Sequence, residues 1–145
     1  MKTLDRGSIL EILKDHNIKI TPNRLVVAEV ILNSISHPSI DEIHTKLIRD
    51  GRNISFTSVY NIIKTFESAG LLKEIQTHDR CRYDPNIKPH IHFICKTCSR
   101  VYDIDSLSYN IKLPENIMGM KVESYELTYY GYCSECLLDK LDKDE

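Results

Sequence analysis

RYDPNIKPHIHFICKTCSRVYDID, residues 82–105, places two kinds of metal ligand within one short stretch of chain. Its thiols, Cys95 and Cys98, are soft ligands that suit zinc, whereas its imidazoles and carboxylates suit iron, manganese, nickel or zinc. One ion rarely takes both sets, so the stretch predicts two metal sites. Side chains alternate along a strand, and the imidazoles of His90 and His92 are therefore expected on one face, where they can bind the same ion.

A second CxxC motif, Cys133 and Cys136, is the expected partner of Cys95 and Cys98. Four cysteines in two such pairs are typical of a closed tetrahedral zinc site. The alternative is a pair of disulfides in a secreted protein. The N-terminus, however, lacks the small-residue cleavage site of a secretory signal, and a reducing compartment keeps thiols available for metal. We therefore expect a cytoplasmic protein with one structural Zn²⁺.

Length and charge narrow the class of protein. The 145 residues suit one ordinary domain or two small ones, and 41% hydrophobic residues are enough for a core. No run of about 18 apolar residues occurs, so no membrane span is expected. Residues 1–84 carry 12 Lys and Arg against 11 Asp and Glu, and residues 85–145 carry 7 against 10. A polybasic nucleic-acid binder is excluded, and any DNA contact must come from a local face of the first half.

The first half predicts four helices followed by two strands. Side chains that cap helix N-termini precede three apolar periodic segments, at Ser8, Thr21 and Ser39, and a fourth helix is predicted to begin near Ser55. Gly70 is expected to end the fourth helix. LLKEIQT (71–77) and RCRYD (80–84) then predict a two-stranded wing. A helix, a Gly turn, a second helix and a wing are typical of a winged helix-turn-helix domain.

The fourth predicted helix carries a polar face opposite its apolar stripe. The polar positions singled out for DNA binding are Thr57, Ser58, Tyr60, Asn61 and Lys64. Asparagine can form two hydrogen bonds with adenine, and hydroxyls and lysine bind phosphate. An ordinary solvated helix face has the same composition, and only the order of elements around it favours the DNA-reading interpretation.

Pro85–Pro89 is the one proline-rich connector, and it sets the predicted domain boundary. Beyond it the sequence predicts strands at 90–95 and 100–105, a short helix at 114–119, a long strand at 120–133, and a frayed charged end at 137–145. We therefore predict an α+β fold: a winged-helix DNA-binding domain (1–84), a hinge (85–89), and a small α/β domain with the zinc site (90–145).

Together these features resemble the ferric uptake regulator family of metal-dependent repressors. The resemblance covers nearly the whole chain and rests on ITPNR (20–24), HPSIDEIH (37–44), TSVYNIIKTFESAGLLKE (57–74), HIHFICKTC (90–98) and YYGYCSEC (129–136). It implies a homodimer, with residues 90–145 as the dimerisation domain, that binds an inverted-repeat operator in double-stranded DNA.

Within that family the chain is most similar to the peroxide-sensing branch. That resemblance implies a regulatory Fe²⁺ or Mn²⁺ held by His37, Asp84, His90, His92 and Asp103. Iron-uptake repressors usually have glutamates where this chain has Asp84 and Asp103, and arginine where it has Asn61. Asp105 shares a strand face with Asp103 and stays open as the alternative ligand.

The function implied is that of a repressor that loses its metal when Fe²⁺ reduces peroxide and the ligands His37 and His90 are oxidised. One alternative is an iron- or zinc-level sensor of the same family that does not respond to peroxide. Another, from a different class, is a non-haem iron enzyme built on His90, His92 and Asp103, although no substrate-pocket motif is readable. Cys81 lies outside both CxxC motifs and is expected to be passive, because no basic pocket is evident to activate it.

A further metal site that is frequent in the family is not expected here. In the family it uses an acidic residue between the two histidines of the HxH motif and a histidine on the last strand. Ile91 and Tyr125 stand at those positions in this chain, and neither side chain is a metal ligand of that kind.

Overall fold

Four helices and a two-stranded sheet form the first of two units, Met1–Ile87, in a computed structural model that describes residues 3–105 and 108–143. In chain order the elements are α1 (Arg6–Asp15), α2 (Pro22–Leu32), α3 (Ile40–Arg49), α4 (Phe56–Ser68), β1 (Lys73–Gln76) and β2 (Cys81–Asp84). β1 and β2 pair antiparallel, with Lys73 opposite Asp84. The predicted order of four helices and a wing is confirmed.

Side chains cap the N-termini of these helices. The N-caps of α2 and α3 are the predicted Thr21 and Ser39, and the N-cap of α4 is Ser55, near which the fourth helix is predicted to begin. α1 differs from the prediction, because its N-cap is Asp5, whose carboxylate accepts a hydrogen bond from the backbone N–H of Ser8 at 2.7 Å. A carboxylate is favoured there because the N-terminus of a helix carries partial positive charge.

The apolar faces of the four helices meet in one core. Its members include Leu13, Val27, Ile31, Ile43, Val59, Ile63 and Phe66. Burying each such side chain stabilises the fold by roughly 1.5–3 kcal/mol. Tyr83 of β2 belongs to the same core and is 1% exposed. The core therefore packs against the apolar face of α4 and against β2, the wing strand that carries Tyr83.

The second unit, Lys88–Glu145, is built on a three-stranded sheet. Its strands are β3 (Ile91–Cys95), β4 (Val101–Ile104) and β7 (Leu127–Gly131), in the order β4-β3-β7. β3 runs antiparallel to β4 and parallel to β7. Cys95, at the end of β3, is the register partner of Gly131, at the end of β7. Because parallel strands end at the same edge of a sheet, this pairing brings the two CxxC motifs to one edge.

The prediction of a helix at 114–119 is wrong. The segment forms a hairpin of β5 (Asn116–Ile117) and β6 (Met120–Lys121). Its two turn residues, Met118 and Gly119, have φ values of 52° and 79°. Two consecutive positive φ angles are typical of the tight turn that joins two-residue hairpins. The long strand predicted at 120–133 is accordingly divided into β6 and β7.

The charged end of the chain is more ordered than predicted. Ser134–Lys143 forms a helix, α5, and residues 144 and 145 of the predicted frayed end lie outside the described residues. The backbone N–H of Leu137 donates to the carbonyl of Cys133 at 2.8 Å, so the helix starts directly at the second CxxC motif. Among the described residues no helix is both long and apolar enough to cross a membrane.

Candidate metal centres and nucleic-acid interface

Four thiols of the second unit converge on one point. The sulfurs of Cys95, Cys98, Cys133 and Cys136 all lie within 4.8 Å of one another, and none of these cysteines forms a disulfide. Tetrahedral zinc, with Zn–S bonds of about 2.3 Å, separates its sulfurs by about 3.8 Å. The Sγ atoms of Cys98 and Cys133 are 3.8 Å apart. The cluster therefore has the size and the chemistry of a structural zinc site.

Backbone hydrogen bonds position these thiols. Cys95 ends β3, and the turn after it is closed by the N–H of Ser99, which donates to the Cys95 carbonyl at 3.0 Å. The N–H of Cys133 donates to the sulfur of Cys95 at 3.4 Å. Arg100, beside the first CxxC motif, donates to Glu135, inside the second, at 2.6 Å. The two motifs are thus joined directly and not only through the sheet.

The local environment gives different pKa values to the thiols of Cys95, Cys133 and Cys136. Burial raises the pKa of Cys95, but backbone N–H groups of Cys133, Cys98 and Thr97 donate to its sulfur and bring the pKa down to about 6. The N–H of Cys136 lowers the pKa of Cys133. The neighbouring Cys133 sulfur and burial raise the pKa of Cys136 to about 12. Zinc offsets this difference, because a dication stabilises all four thiolates at once.

The first unit holds two of the five expected regulatory ligands side by side. Nε2 of His37 lies 3.3 Å from Oδ2 of Asp84, and each side chain is 3% exposed. His37 has a φ of 51°, in the left-handed region that only a few per cent of residues other than glycine adopt. A buried imidazole nitrogen facing a buried carboxylate oxygen is a suitable half-site for a divalent cation.

Consecutive residues of β2 hold the loop that carries His37. The guanidinium of Arg82 donates to the His37 carbonyl at 3.2 Å and to the Glu42 carboxylate at 3.0 Å. The backbone N–H of Tyr83 donates to the carbonyl of Pro38 at 3.1 Å. A non-glycine residue at positive φ costs on the order of 1–3 kcal/mol, and it persists only where the surroundings impose it. These contacts impose it here.

The second unit holds the other three expected ligands. Oδ1 of Asp103 lies 3.1 Å from Nε2 of His90 and 3.2 Å from Nε2 of His92, its register partner across β3 and β4. The Nδ1–H of His90 donates a hydrogen bond to the Lys88 carbonyl at 2.6 Å. In a neutral imidazole, Nε2 then carries the lone pair that a metal requires. Asp105, the alternative to Asp103, accepts a hydrogen bond from Ser108 at 2.7 Å.

The polar face expected to read DNA is divided into two kinds of side chain. Thr57, Tyr60 and Asn61 are exposed, and Ser58 is half-buried and accepts a hydrogen bond from the Ser55 hydroxyl at 2.8 Å. Lys64 differs, because its ammonium already donates to two carboxylates of the same unit. The face therefore presents an amide, hydroxyls and an aromatic ring to a partner, whereas the ammonium of Lys64 is hydrogen-bonded to Glu67 and Glu74.

Cys81, at the start of β2, accepts a hydrogen bond from the Gln76 amide at 3.1 Å. Burial, followed by the charge of Glu74, raises the pKa of its thiol. The thiolate is therefore disfavoured, in agreement with the expectation that this cysteine is passive.

Two contributions were missed by sequence reasoning. Arg82 positions His37, and Lys64 joins α4 to the wing. Strand alternation could have indicated the first, because Arg82 lies two residues before Asp84 and so shares its side of β2. No local signal marks the second, because the main partner of Lys64 lies ten positions away in another element.

Comparisons with known proteins agree with this arrangement. The model of the ferric uptake regulator family matches residues 15–130. The chain is 35% identical to the peroxide operon regulator of Bacillus subtilis (strain 168) over 130 residues, which are 88% of this chain and 90% of that protein. It is 32% identical to the peroxide-responsive repressor PerR of Staphylococcus aureus (strain Mu50), over 86% of each chain.

A solved structure shows a similar fold. The ferric uptake regulator of Francisella tularensis, determined with iron, is 25% identical and superposes with a TM-score of 0.69. The match covers 83% of this chain and 95% of that one. The likeness therefore includes elements of both units described above.

Proposed function

Because the chain belongs to the ferric uptake regulator family, we propose that it is a metal-dependent repressor that releases its operator DNA in response to peroxide. Family members are transcriptional regulators, so the chain is a regulator and not an enzyme. The alternative of a non-haem iron enzyme is thereby set aside. The observation that carries the proposal is the donor set of the two half-sites, three imidazoles and two aspartates.

The regulatory metal is proposed to be Fe²⁺ or Mn²⁺, with His37 and Asp84 as ligands from the first unit and His90, His92 and Asp103 from the second. Three nitrogens and two oxygens suit either ion and leave one coordination position open. A metal that needs ligands from both units stabilises the arrangement in which both supply them. When the free metal concentration is about 100 times the Kd, this stabilisation is ~2.7 kcal/mol, which corresponds to roughly a hundredfold change in the population of that arrangement.

Peroxide sensing is proposed to use the same ligands. Relatives at 32–35% identity are named as peroxide regulators, which supports this response in the chain. When bound, Fe²⁺ supplies the reducing electron that peroxide chemistry needs, whereas Mn²⁺ is a poor reductant. Oxidation of the side chains of His37 and His90 is proposed to weaken the ligand set, after which the metal is lost and the repressor leaves its operator.

The DNA-binding surface is proposed to be the polar face of α4, with Thr57, Ser58, Tyr60 and Asn61 in direct contact with an inverted-repeat operator. Residues 1–84 would form the DNA-binding domain, residues 85–89 the hinge and residues 90–145 the dimerisation domain. Large apolar side chains more than half exposed are frequent in the second unit, which supports a homodimer through it: Tyr109, Met118, Met120, Tyr130, Leu138 and Leu141. The proposed location is the cytoplasm, where thiols stay reduced.

A metal-level sensor without a peroxide response is the second candidate, because the same ligands would bind metal without any redox step. The two are separated by measuring operator release against peroxide concentration, with protein loaded anaerobically with Fe²⁺ or with Mn²⁺. We expect the Fe²⁺ form to release DNA and to carry added oxygen on His37 or His90 by mass spectrometry. If the Fe²⁺ form holds DNA as long as the Mn²⁺ form, the metal-level sensor replaces the peroxide sensor.

A further inference from the structure

The ammonium of Lys64 joins α4, the proposed DNA-recognition helix, to the wing formed by β1 and β2. Its Nζ donates to Oε2 of Glu74, on β1, at 2.7 Å, and to Oε2 of Glu67, one turn further along α4, at 3.1 Å. The Lys64 side chain is 36% exposed and that of Glu74 is 21% exposed. The contact to Glu74 is the shorter of the two, and it links two separate elements of the unit.

Tyr83 links the Lys64–Glu74 ion pair, called here the α4 bridge, to the core. The hydroxyl of Tyr83 donates to the same Glu74 oxygen at 3.4 Å, and Nζ of Lys64 lies 5.5 Å from the centroid of the Tyr83 ring. Tyr83 is the register partner of Glu74 across β1 and β2. It also lies directly between Arg82 and Asp84, which face the His37 loop. One strand therefore contacts both the α4 bridge and the proposed metal half-site.

The charges around Lys64 are unfavourable for a phosphate contact. A lysine that binds DNA presents its ammonium to the phosphates and releases a counterion. Here two carboxylates lie within hydrogen-bond distance of one ammonium. The hydrogen bond to Glu74 raises the pKa of Lys64, and the same bond lowers the pKa of Glu74. Turning Lys64 towards a phosphate would leave both carboxylates facing a polyanion, which repels them.

We propose that Lys64 is a positioning residue that fixes the wing against the recognition helix through Glu74, and that Tyr83 connects this bridge to the strand carrying Asp84. The inference rests on the proposed DNA-binding function. It assigns Lys64 a different role from the phosphate contact expected from sequence. Operator affinity then depends on the Lys64–Glu74 pair as a unit, and not on the positive charge of Lys64 alone.

The variants follow from this distinction. Lys64→Met removes the ammonium and keeps an apolar stem, Glu74→Gln removes the carboxylate charge and keeps the shape, and the double variant removes both partners. Lys64→Arg keeps a cation as the conservative rescue. Lys46→Met is the matched control, because Lys46, on α3, pairs at 3.5 Å with Asp50, the C-cap of the same helix, and this ion pair does not involve β1 or β2.

The DNA probes are a duplex selected from a random-sequence pool by the Mn²⁺-loaded parent protein and an unselected random duplex. We expect Lys64→Met and Glu74→Gln each to weaken binding of the selected duplex by about three- to tenfold, with the double variant no weaker than the weaker single variant. The slope of log affinity against log salt should stay that of the parent. Lys64→Arg should restore most of the affinity, and Lys46→Met should bind as the parent does.

A phosphate contact would behave differently. Lys64→Met would then lower the salt slope by about one, and Glu74→Gln would bind more tightly because a negative charge near DNA is removed. That result would overturn the inference. The inference would also be overturned if Lys64→Met and Glu74→Gln both bound the selected duplex as tightly as the parent protein does. Amide hydrogen exchange without DNA gives an independent test: exchange in β1 and β2 should be faster in Lys64→Met than in Lys46→Met, and equal rates contradict the bridge. If the parent selects no preferred duplex, the proposed function fails instead.

Discussion

The guanidinium of Arg82 donates a hydrogen bond to the backbone carbonyl of His37 at 3.2 Å, across 45 positions of the chain. Arg82 is 6% exposed, and its charge is matched by Glu42, whose carboxylate also completes the capping box of α3. A proposed metal ligand at positive φ is thus held by an arginine from the strand that carries its partner ligand, Asp84. Metal affinity in the first unit should therefore depend on a residue that is not a ligand.

Arg82→Ala should lower Mn²⁺ affinity by about 10–100-fold, because partners that orient metal ligands typically contribute that much. Calorimetric titration with Mn²⁺ measures the change without redox chemistry. Arg80→Ala is the control, since Arg80 is 44% exposed and lies 3.8 Å from the same Glu42 carboxylate. Parental Mn²⁺ affinity in a folded Arg82→Ala protein would contradict the positioning role.

Cys136→Ser should remove the structural zinc and unfold or monomerise the second unit, because zinc binding supplies folding free energy directly. The measurements are zinc content after mild chelation and the association state in solution. Cys81→Ser serves as the control and should retain one zinc per chain. A variant with all four cluster cysteines changed to serine that is still a stable dimer would rule out the structural role.

The contribution of the Lys64–Glu74 pair to stability should disappear in acid. The pKa of Glu74 is lowered from its ordinary value of 4.5, mainly by the hydrogen bond from Lys64. A carboxyl group whose pKa is lowered by folding stabilises the fold at pH values above its ordinary pKa. This stabilisation is lost as the pH falls through the pKa of the folded state. At pH 7 the free energy of unfolding of the parent protein should exceed that of Glu74→Gln by about 0.2–1 kcal/mol.

Urea unfolding at pH 7 and below pH 4 measures this difference, which should shrink in the more acidic series. Glu11→Gln changes an exposed glutamate of α1 and is the control for a general loss of charge. A difference that persists unchanged in acid would mean that the Glu74 carboxylate charge is not what stabilises the pair.

Asn61→Ala should reduce discrimination between the preferred duplex and single-base variants of it by about 1–3 kcal/mol, because an amide can form two hydrogen bonds with adenine. Asn61 is exposed on α4, so the substitution should leave the thermal stability of the first unit unchanged. Binding to a panel of single-base variants measures the preference. An identical preference in both proteins would show that Asn61 does not read bases.

Local chemistry explains which features were predictable from sequence. The capping box of Ser39 and Glu42 is formed by residues three positions apart, and the strand that presents His92 is set by side-chain alternation. The four thiols were also predictable, because CxxC spacing itself reflects the geometry of zinc. In each case the information lies within a few residues of sequence.

The features that could not be predicted depend on distant partners or on competing local preferences. A helix was predicted at 114–119, but Gly119 and Met118, both with positive φ, form a hairpin turn. The charged segment of α5 resembled a frayed end, yet the helix begins at a thiol fixed by the sheet. The pairing of Lys64 with Glu74 was not predictable, because Glu74 lies on another element.

The parallel pairing of β3 with β7 has a consequence for the nascent chain. The first thiol pair emerges from the ribosome before the second, since 35 positions separate Cys98 from Cys133. At about 5–20 residues per second, this leaves Cys95 and Cys98 without their partners for about 2–7 s of synthesis. In that interval they form an exposed dithiol that an oxidant can close into a disulfide. We therefore expect the newly made chain to be more sensitive to thiol oxidation than the finished protein.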